Sequence, residues 1–336
     1  MIQRNYSLRQ LNTFGIDVRA AAFAAFSSLE ELKAVIAENA GSLPLFILGG
    51  GSNILFTKGV AALVLRNELK GITVVSETAE TIDLKAGAGE EWHTFVRYCV
   101  EKGLGGVENL SLIPGSVGAS PMQNIGAYGA EIKDCFVSLE AFHIEQQEIH
   151  TFSATDCEFG YRESVFKRKH KGEYIIVSVT YRLQKHPQFN TGYGAIQSEL
   201  DEMGVKELSV SAISQAVINI RSSKLPNPKE LGNAGSFFKN PVVSKSEFER
   251  IAAQYPEMPH YPQPDSSEKL AAGWLIEQAG WKGKRVGNCG VHAKQALVLV
   301  NYGGATGPEI YALSQAVLDA VEAKFGVLLE REVNIL

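Results

Sequence analysis

The chain is poor in the residues that build metal and disulfide sites. Its four cysteines, Cys99, Cys135, Cys157 and Cys289, are widely spaced and form no CxxC pair, which excludes a disulfide framework and a zinc ribbon and points to reduced thiols in a cytosolic protein. The seven histidines include no HExxH, so no metal is expected. GxSxG is missing too, and with it the usual serine-hydrolase signature. Basic residues are not in excess: 32 Lys and Arg face 37 Asp and Glu, for a net charge of -5. A chain without a broad positive field is not expected to take nucleic acid as a partner. The N-terminus MIQRNYSLRQ carries no apolar core of a signal peptide, and the early apolar run, residues 20 to 26, is far too short to span a bilayer. The expected location is the cytoplasm, with no membrane partner and no obligate protein partner. Internal repeats and low-complexity tracts are absent.

What remains is an ordinary globular composition of 45% hydrophobic residues over 336 positions, enough for two or three domains. Its centre of interest is residues 108 to 130, ENLSLIPGSVGASPMQNIGAYGA. Gly115, Gly118, Gly126 and Gly129 alternate with small residues there, so the backbone can be approached closely and its N–H groups can line a nest for an anion. A tight loop without a ligand uses the same residues. A second glycine turn, GGGSN at 49 to 53, follows an apolar strand and at first resembles a Rossmann phosphate loop. The residues after it read as strand, Ile54 to Phe56 and then 61 to 65, whereas a Rossmann unit needs a helix there. That fold is rejected.

Periodicity gives a helix over 28 to 39, with Ser28 and Glu31 spaced as a capping box, and two strands within 71 to 87. An amphipathic helix follows, with Trp92, Phe95, Val96, Cys99 and Val100 on one face and Gly103 as its stop. Three strands lie between 135 and 184. Helices are expected at 192 to 203, after Gly192, Tyr193 and Gly194, and at 209 to 221. KLPNPKELGNAG marks a domain boundary. Beyond it come a helix near 244 to 254, a proline-rich loop, the helix LAAGWLIEQAG, the strand ALVLVN and a helix from 308 to 325. The closing run from 327 to 336 reads as a strand that returns to the middle domain. Lys167, Arg168, Lys169, His170 and Lys171 form a charge run, ordinarily a solvated turn.

Three further spots bear chemistry. Ser236 lies in the small-residue turn GNAGSFFKNP, where a loop hydroxyl without a triad partner is the simpler reading. Arg162, in YRES, offers a planar guanidinium that can clamp a carboxylate through two parallel hydrogen bonds, though a solvated loop arginine has the same composition. Glu330 and Glu332 flank Arg331 in an apolar strand, and alternation puts both carboxylates on one face. An inward carboxylate is costly there unless paired or working.

In order along the chain, GGGSN, IPGSVGASPMQNIGAYG (113 to 129), YRESVFK (161 to 167), KLPNPKELGNAGSFFKNP (224 to 241) and EREV (330 to 333) resemble the UDP-N-acetylenolpyruvoylglucosamine reductase family. The stretch containing Gly192, Tyr193 and Gly194 is similar to its longer, tyrosine-loop subtype. The resemblance implies an α+β chain with a vanillyl-alcohol-oxidase-like FAD-binding fold. Its two FAD subdomains would be residues 1–70 and 71–224, the latter joined by the strand 327–336, and residues 225–326 would bind substrate. It implies non-covalent FAD, consistent with loops that hold no histidine, and a cofactor site made by Gly49, Gly50, Gly51, Ser52, Asn53, Ser116, Gly118, Gln123, Asn124, Gly126, Ala127, Tyr128 and Gly129.

The reaction implied is reduction of UDP-N-acetylglucosamine enolpyruvate to UDP-N-acetylmuramate in peptidoglycan precursor synthesis, and hence in cell wall biogenesis and division. NADPH is the co-substrate. The reduced flavin passes hydride to the enolpyruvyl methylene carbon, Arg162 stabilises the carboxylate and its enolate form, Ser236 protonates the adjacent carbon, and Glu332 orients the substrate or tunes the donor. Tyr193, Lys224, Asn240 and Gln295 would hold the diphosphate or its surroundings. A flavin oxidase of the same fold shares the FAD loops but not Arg162, Ser236 and Glu332 together, and a non-catalytic sugar-nucleotide binder would hold no flavin.

Overall fold

Residues 1–193 and 195–336 are described by a computed structural model. Gly194, last of the triplet singled out above, lies outside the described residues. Two units are distinguished. The first takes Met1–Tyr6, Ala20–Gly50 and Ala61–Ser223, and the second takes Ser7–Arg19, Gly51–Val60 and Lys224–Leu336. The expected limit at residue 70 therefore does not divide them, because two short segments before it belong to the second unit.

Alternation builds the first unit. In Arg19–Phe26 the even positions Ala20, Ala22, Ala24 and Phe26 are buried, as a strand with one face on a core requires. It lies in a sheet of order Gln3–Ser7, Arg19–Phe26, Val60–Asn67, Leu45–Leu48, the last two strands being parallel. Helix Leu29–Asn39 covers that sheet with Leu32 and Val35. Ser28 Oγ caps it by accepting the Glu31 N–H at 3.1 Å. The Glu31 carboxylate reaches one residue further back than a capping box requires, to the N–H and hydroxyl of Ser27.

A five-stranded antiparallel sheet follows, in the order Ile149–Ser153, Phe136–His143, Tyr174–Gln184, Thr81–Gly87, Ile72–Glu77. Helix Trp92–Glu101 packs Trp92, Phe95, Val96 and Cys99 into its core, and each large apolar side chain buried there contributes roughly 1.5–3 kcal/mol. Phe142, Ile175 and Val177 of this sheet share a cluster with Phe26 and Leu32, so residues on both sides of position 70 have one core. Helices Ile196–Glu202 and Val210–Lys224 form a satellite cluster. All four cysteines are free and buried, and burial pushes the Cys135 and Cys157 thiols up to about 12, which leaves them unreactive.

The second unit holds an antiparallel sheet in the order Gly232–Ser236, Val298–Asn301, Cys289–Val291, Arg285–Val286. Beside it is a smaller one, Val242–Val243, Glu268–Leu270, His260–Pro262. Its helices are Lys245–Ala252, Ala272–Gln278 and Gly307–Phe325. The long last helix starts at a capping box of Thr306 and Glu309 with Pro308 in its first turn, and ends at Gly326 in the left-handed conformation, as such signals dictate.

The closing segment differs from expectation. Only Asn334–Ile335 is a strand, and it pairs in parallel with Ile54–Leu55 rather than with any strand of residues 71–224. Residues 327 to 333 do alternate, burying Val327, Leu329 and Val333, but they meet a neighbour through one bridge, Arg331 to Phe238. No helix among the described residues is long and apolar enough to cross a membrane.

Candidate functional site

In the first unit the two glycine turns come together. A Cβ on Gly50 would lie 2.9 Å from the Gly115 Cα, and one on Gly49 would lie 2.8 Å from Ser116 Oγ. Two backbones at that distance leave no room for side chains. The 115–119 turn is fixed by backbone hydrogen bonds: Trp92 N–H to Gly115 O, Val117 N–H to Glu90 O and Gly118 N–H to Ala88 O, at 2.8 to 3.0 Å. Gly118 presses on Ala88. Among the described residues, no protein acceptor takes the N–H of Gly49, Gly50, Gly115 or Ser116. In the second unit the same holds for Gly51 and Ser52. Gly51 is left-handed at φ 62°, and a Cβ there would overlap the Leu11 carbonyl. Asn53 Nδ2 donates to Glu332 O at 3.4 Å.

The rest of the glycine stretch is a self-bonded loop. Asn124, fully buried at φ 40°, donates from Nδ2 to Glu131 Oε2 (3.1 Å) and Gly160 O (3.0 Å), while its Oδ1 accepts from the Lys133 N–H. Its side chain serves the loop, so a ligand can use only its backbone. Gln123 and Ala127 are half-buried. Tyr128 meets the ring of Tyr193 edge-on at 6.1 Å, and Tyr193 lies beside Gly129 and is 43% exposed.

Arg162 belongs to this loop by contact. Its Nη2 donates to Gly126 O at 2.5 Å and its Nη1 to Asn124 O at 3.4 Å. Arg162 itself is left-handed, φ 56°, a conformation uncommon for a side chain of its size and frequent at binding sites. The two carbonyls orient the guanidinium. The Glu131 carboxylate lies 4.0 Å from Nη1 and is engaged by Lys133 at 2.8 Å. Of the charge run, Lys167 donates to Arg162 O and Arg168 meets Glu158.

In the second unit Ser236 and Glu332 are brought together through the backbone. Glu332 N–H donates to Phe237 O (2.8 Å) and Lys239 N–H donates to Glu330 O (2.9 Å). Glu330 is solvated and paired with Lys239, while Glu332 is half-buried. Alternation thus puts both carboxylates on one side of the chain, but only Glu332 leaves solvent. The Ser236 hydroxyl has no hydrogen bond to protein among the described residues. Asn240 Oδ1 accepts the Ala272 N–H at 3.0 Å. Gln295 Oε1 accepts the Leu297 N–H at 3.3 Å and stands over Gly273. Lys224 is exposed at the end of its helix.

Two first-unit residues went unnoticed in the sequence. Arg221 donates from Nε to Leu112 O at 3.3 Å, and the nearby Tyr128 hydroxyl favours its charged form. Burial lowers the affinity of Arg221 for its proton and raises the Tyr128 pKa. A guanidinium desolvated with only neutral partners is a ready site for an anion. Its one sequence signal is position: it follows Val217 by four on the apolar stripe of Val210–Lys224. The second residue is His93, whose Nδ1 accepts the Leu112 N–H at 2.9 Å. Unbonded N–H groups on close-packed glycine turns, with a half-buried cation beside the loop, fit a dinucleotide with a pyrophosphate.

Comparison with known proteins agrees. Residues 20–153 match the FAD binding domain family, and residues 227–336 match the C-terminal domain of UDP-N-acetylenolpyruvoylglucosamine reductase. A protein of that name from Flavobacterium johnsoniae is 52% identical over 100% of this chain and 99% of its own length. One from Pseudomonas putida is 49% identical over 99% and 98%. The crystal structure of the Thermus caldophilus reductase superposes with a TM-score of 0.69 at 24% identity, covering 100% of this chain and 98% of that one. The α+β fold with a vanillyl-alcohol-oxidase-like FAD-binding part, read from the motifs, is the fold found.

Proposed function

The chain belongs to the UDP-N-acetylenolpyruvoylglucosamine reductase family of FAD-dependent oxidoreductases, and we propose that it reduces UDP-N-acetylglucosamine enolpyruvate to UDP-N-acetylmuramate, with NADPH as electron source, in the cytoplasm. The observation that carries this reading is the pairing of the Ser236 turn with Glu332 through Glu332 N–H to Phe237 O at 2.8 Å, with the Ser236 hydroxyl left for a ligand.

FAD, when bound, would supply the relay of a hydride from NADPH to the enolpyruvyl methylene carbon. Backbone N–H groups of Gly49 to Ser52 and of Gly115 and Ser116 would hold its pyrophosphate, and Arg221 would supply a half-buried positive charge. Gly118, Gln123 and the main chain of 124 to 129 would flank the flavin. Hydride addition places negative charge on the carbon next to the carboxylate and on the carboxylate itself. Arg162, oriented by two carbonyls, stabilises that anion as it forms. Ser236 delivers the proton that completes saturation of the double bond. Serine is a weak acid, so it serves only a strongly basic carbanion, which this step creates. Glu332 orients Ser236 or the substrate. Tyr193, Lys224, Asn240 and Gln295 grip the sugar nucleotide, and the division into FAD-holding residues 1–224 and substrate-holding residues 225–326 is part of the same proposal.

Anaerobic stopped-flow tests it in two steps. NADPH should bleach the flavin absorbance, and the enolpyruvyl sugar nucleotide should then restore it while UDP-N-acetylmuramate accumulates. A reduced flavin that this substrate fails to reoxidise would refute the assignment.

A further inference from the structure

Among the described residues one buried side-chain polar atom has no hydrogen-bond partner, Nδ1 of His292. Buried polar atoms are almost always bonded, so an orphan calls for a partner that the chain itself does not supply. His292 follows strand Cys289–Val291 and opens the turn to Val298–Asn301. Its N–H donates to Val298 O at 2.9 Å, and the Val298 N–H donates to Gln295 O at 3.1 Å. The turn that presents Gln295 therefore also presents His292. Val298 is in turn the register partner of Ser236. His292, Val298 and Ser236 form one row across adjacent strands, which at the usual strand spacing separates the His292 and Ser236 backbones by about 10 Å.

The state of the ring narrows the ligand. Burial, and then the charge of Lys294, lower the His292 pKa below its ordinary value, so the imidazole is neutral and has one nitrogen without a proton. With the proton on Nε2, Nδ1 is an acceptor. A phosphate or carboxylate offers no hydrogen to it, whereas a pyranose hydroxyl or an acetamido N–H does. We infer that His292 Nδ1 accepts a hydrogen bond from the sugar ring of the sugar nucleotide, fixing that ring while its enolpyruvyl group is presented to Ser236. His292 is thus a positioning residue of the substrate step alone, and the inference rests on the substrate proposed above.

The test compares His292→Phe, which keeps a ring and loses the acceptor, with His292→Asn, whose amide oxygen can take the place of Nδ1. In anaerobic stopped-flow, flavin bleaching by NADPH should match the parent protein in both. The saturation constant for the enolpyruvyl sugar nucleotide should rise about tenfold in His292→Phe, the scale of one net hydrogen bond, and return toward the parent value in His292→Asn. Analogues lacking the acetamido group or a single pyranose hydroxyl identify the donor: the one that matters should bind the parent about tenfold more weakly and lose that penalty in His292→Phe. They also carry the test through the parent protein should the Phe variant fail to fold, since equal binding of every analogue would overturn the inference. So would an unchanged constant in His292→Phe, or equal impairment of the Phe and Asn variants, which marks a purely structural ring. A parent protein that turns the substrate over while His292→Phe behaves identically overturns this inference alone. A parent that never reoxidises with it overturns the proposed function as well.

Discussion

The loop 115–129 of the first unit and the turn 235–240 of the second are both rich in small residues, yet they leave opposite groups unbonded. In the loop, the polar side chains of Asn124 and Ser120 are taken up by the protein itself: Asn124 bonds Glu131, Gly160 and Lys133, and Ser120 bonds Tyr181 at 2.6 Å. What stays open is main chain, the N–H groups of Gly115 and Ser116. In the turn the main chain is tied at two points, Phe237 N–H to Leu297 O at 2.7 Å and Lys239 N–H to Glu330 O at 2.9 Å. What stays open is side chain, the Ser236 hydroxyl, with His292 Nδ1 in the same cross-strand row. Backbone donors suit a cofactor whose anionic part never changes. Side-chain groups suit a substrate that must be exchanged and protonated.

The contrast breaks most visibly at Ser236. Ser236→Ala should slow reoxidation of the reduced flavin by the enolpyruvyl substrate by about 10²- to 10⁴-fold, the usual worth of a positioned proton donor, while NADPH bleaches the flavin at the parent rate. Equal slowing of both steps would remove Ser236 from the chemistry. Arg162→Ala comes next, with a loss in kcat of about 10²- to 10³-fold, as for other groups that stabilise an oxyanion. Because Arg162 also ties Gly126 and Asn124, Arg162→Lys serves as control, and restored melting without restored turnover separates clamp from brace. A glycine tests the other side of the comparison. Gly50→Ala drives a Cβ toward the Gly115 backbone, which cannot yield as a side-chain tip can. The purified variant should hold less FAD and lose roughly 1–3 kcal/mol of stability, whereas full FAD content would show that the close approach does not shape the cofactor site.

Much of this was legible in the sequence because local rules decided it. Ser28 ahead of an apolar stripe marked helix Leu29–Asn39, and Trp92, Phe95, Val96 and Cys99 at helical spacing marked Trp92–Glu101. GGGSN and 113 to 129 were readable as paired turns because only glycine permits that approach. The closing segment was misread because alternation reports which residues are buried and not which strand they meet: Val327, Leu329 and Val333 are inside, yet pairing waits until Asn334–Ile335. Asn124 shows a related limit, since a polar residue in a glycine loop looks the same whether it serves a ligand or the loop. Arg221 and His292 were missed because each is a single residue without a spacing pattern, significant only through what surrounds it in space.

The smallest effect concerns His93, which holds Leu112 in its left-handed conformation, φ 58°, beneath the carbonyl that Arg221 uses. Burial, the largest cause, lowers the His93 pKa, with Arg97 and Arg221 acting in the same direction and Glu91 against it. Above the unfolded value of about 6.5 the ring is neutral in both folded and unfolded chains, and its bond from the Leu112 N–H is intact. As pH falls through that value the unfolded chain binds the proton first, so stability declines toward acid until the folded ring is itself protonated. Protonation at Nδ1 would also set one N–H against another. His93→Gln offers Leu112 an acceptor that does not titrate. Between about pH 8 and about pH 5 the parent should therefore lose more melting temperature than the variant, by a difference on the order of a few degrees for a chain of this size. Other titrating groups are common to both proteins and cancel in that difference. Parallel curves would mean that His93 protonates without cost, and that the Leu112 turn is held by its backbone neighbours instead.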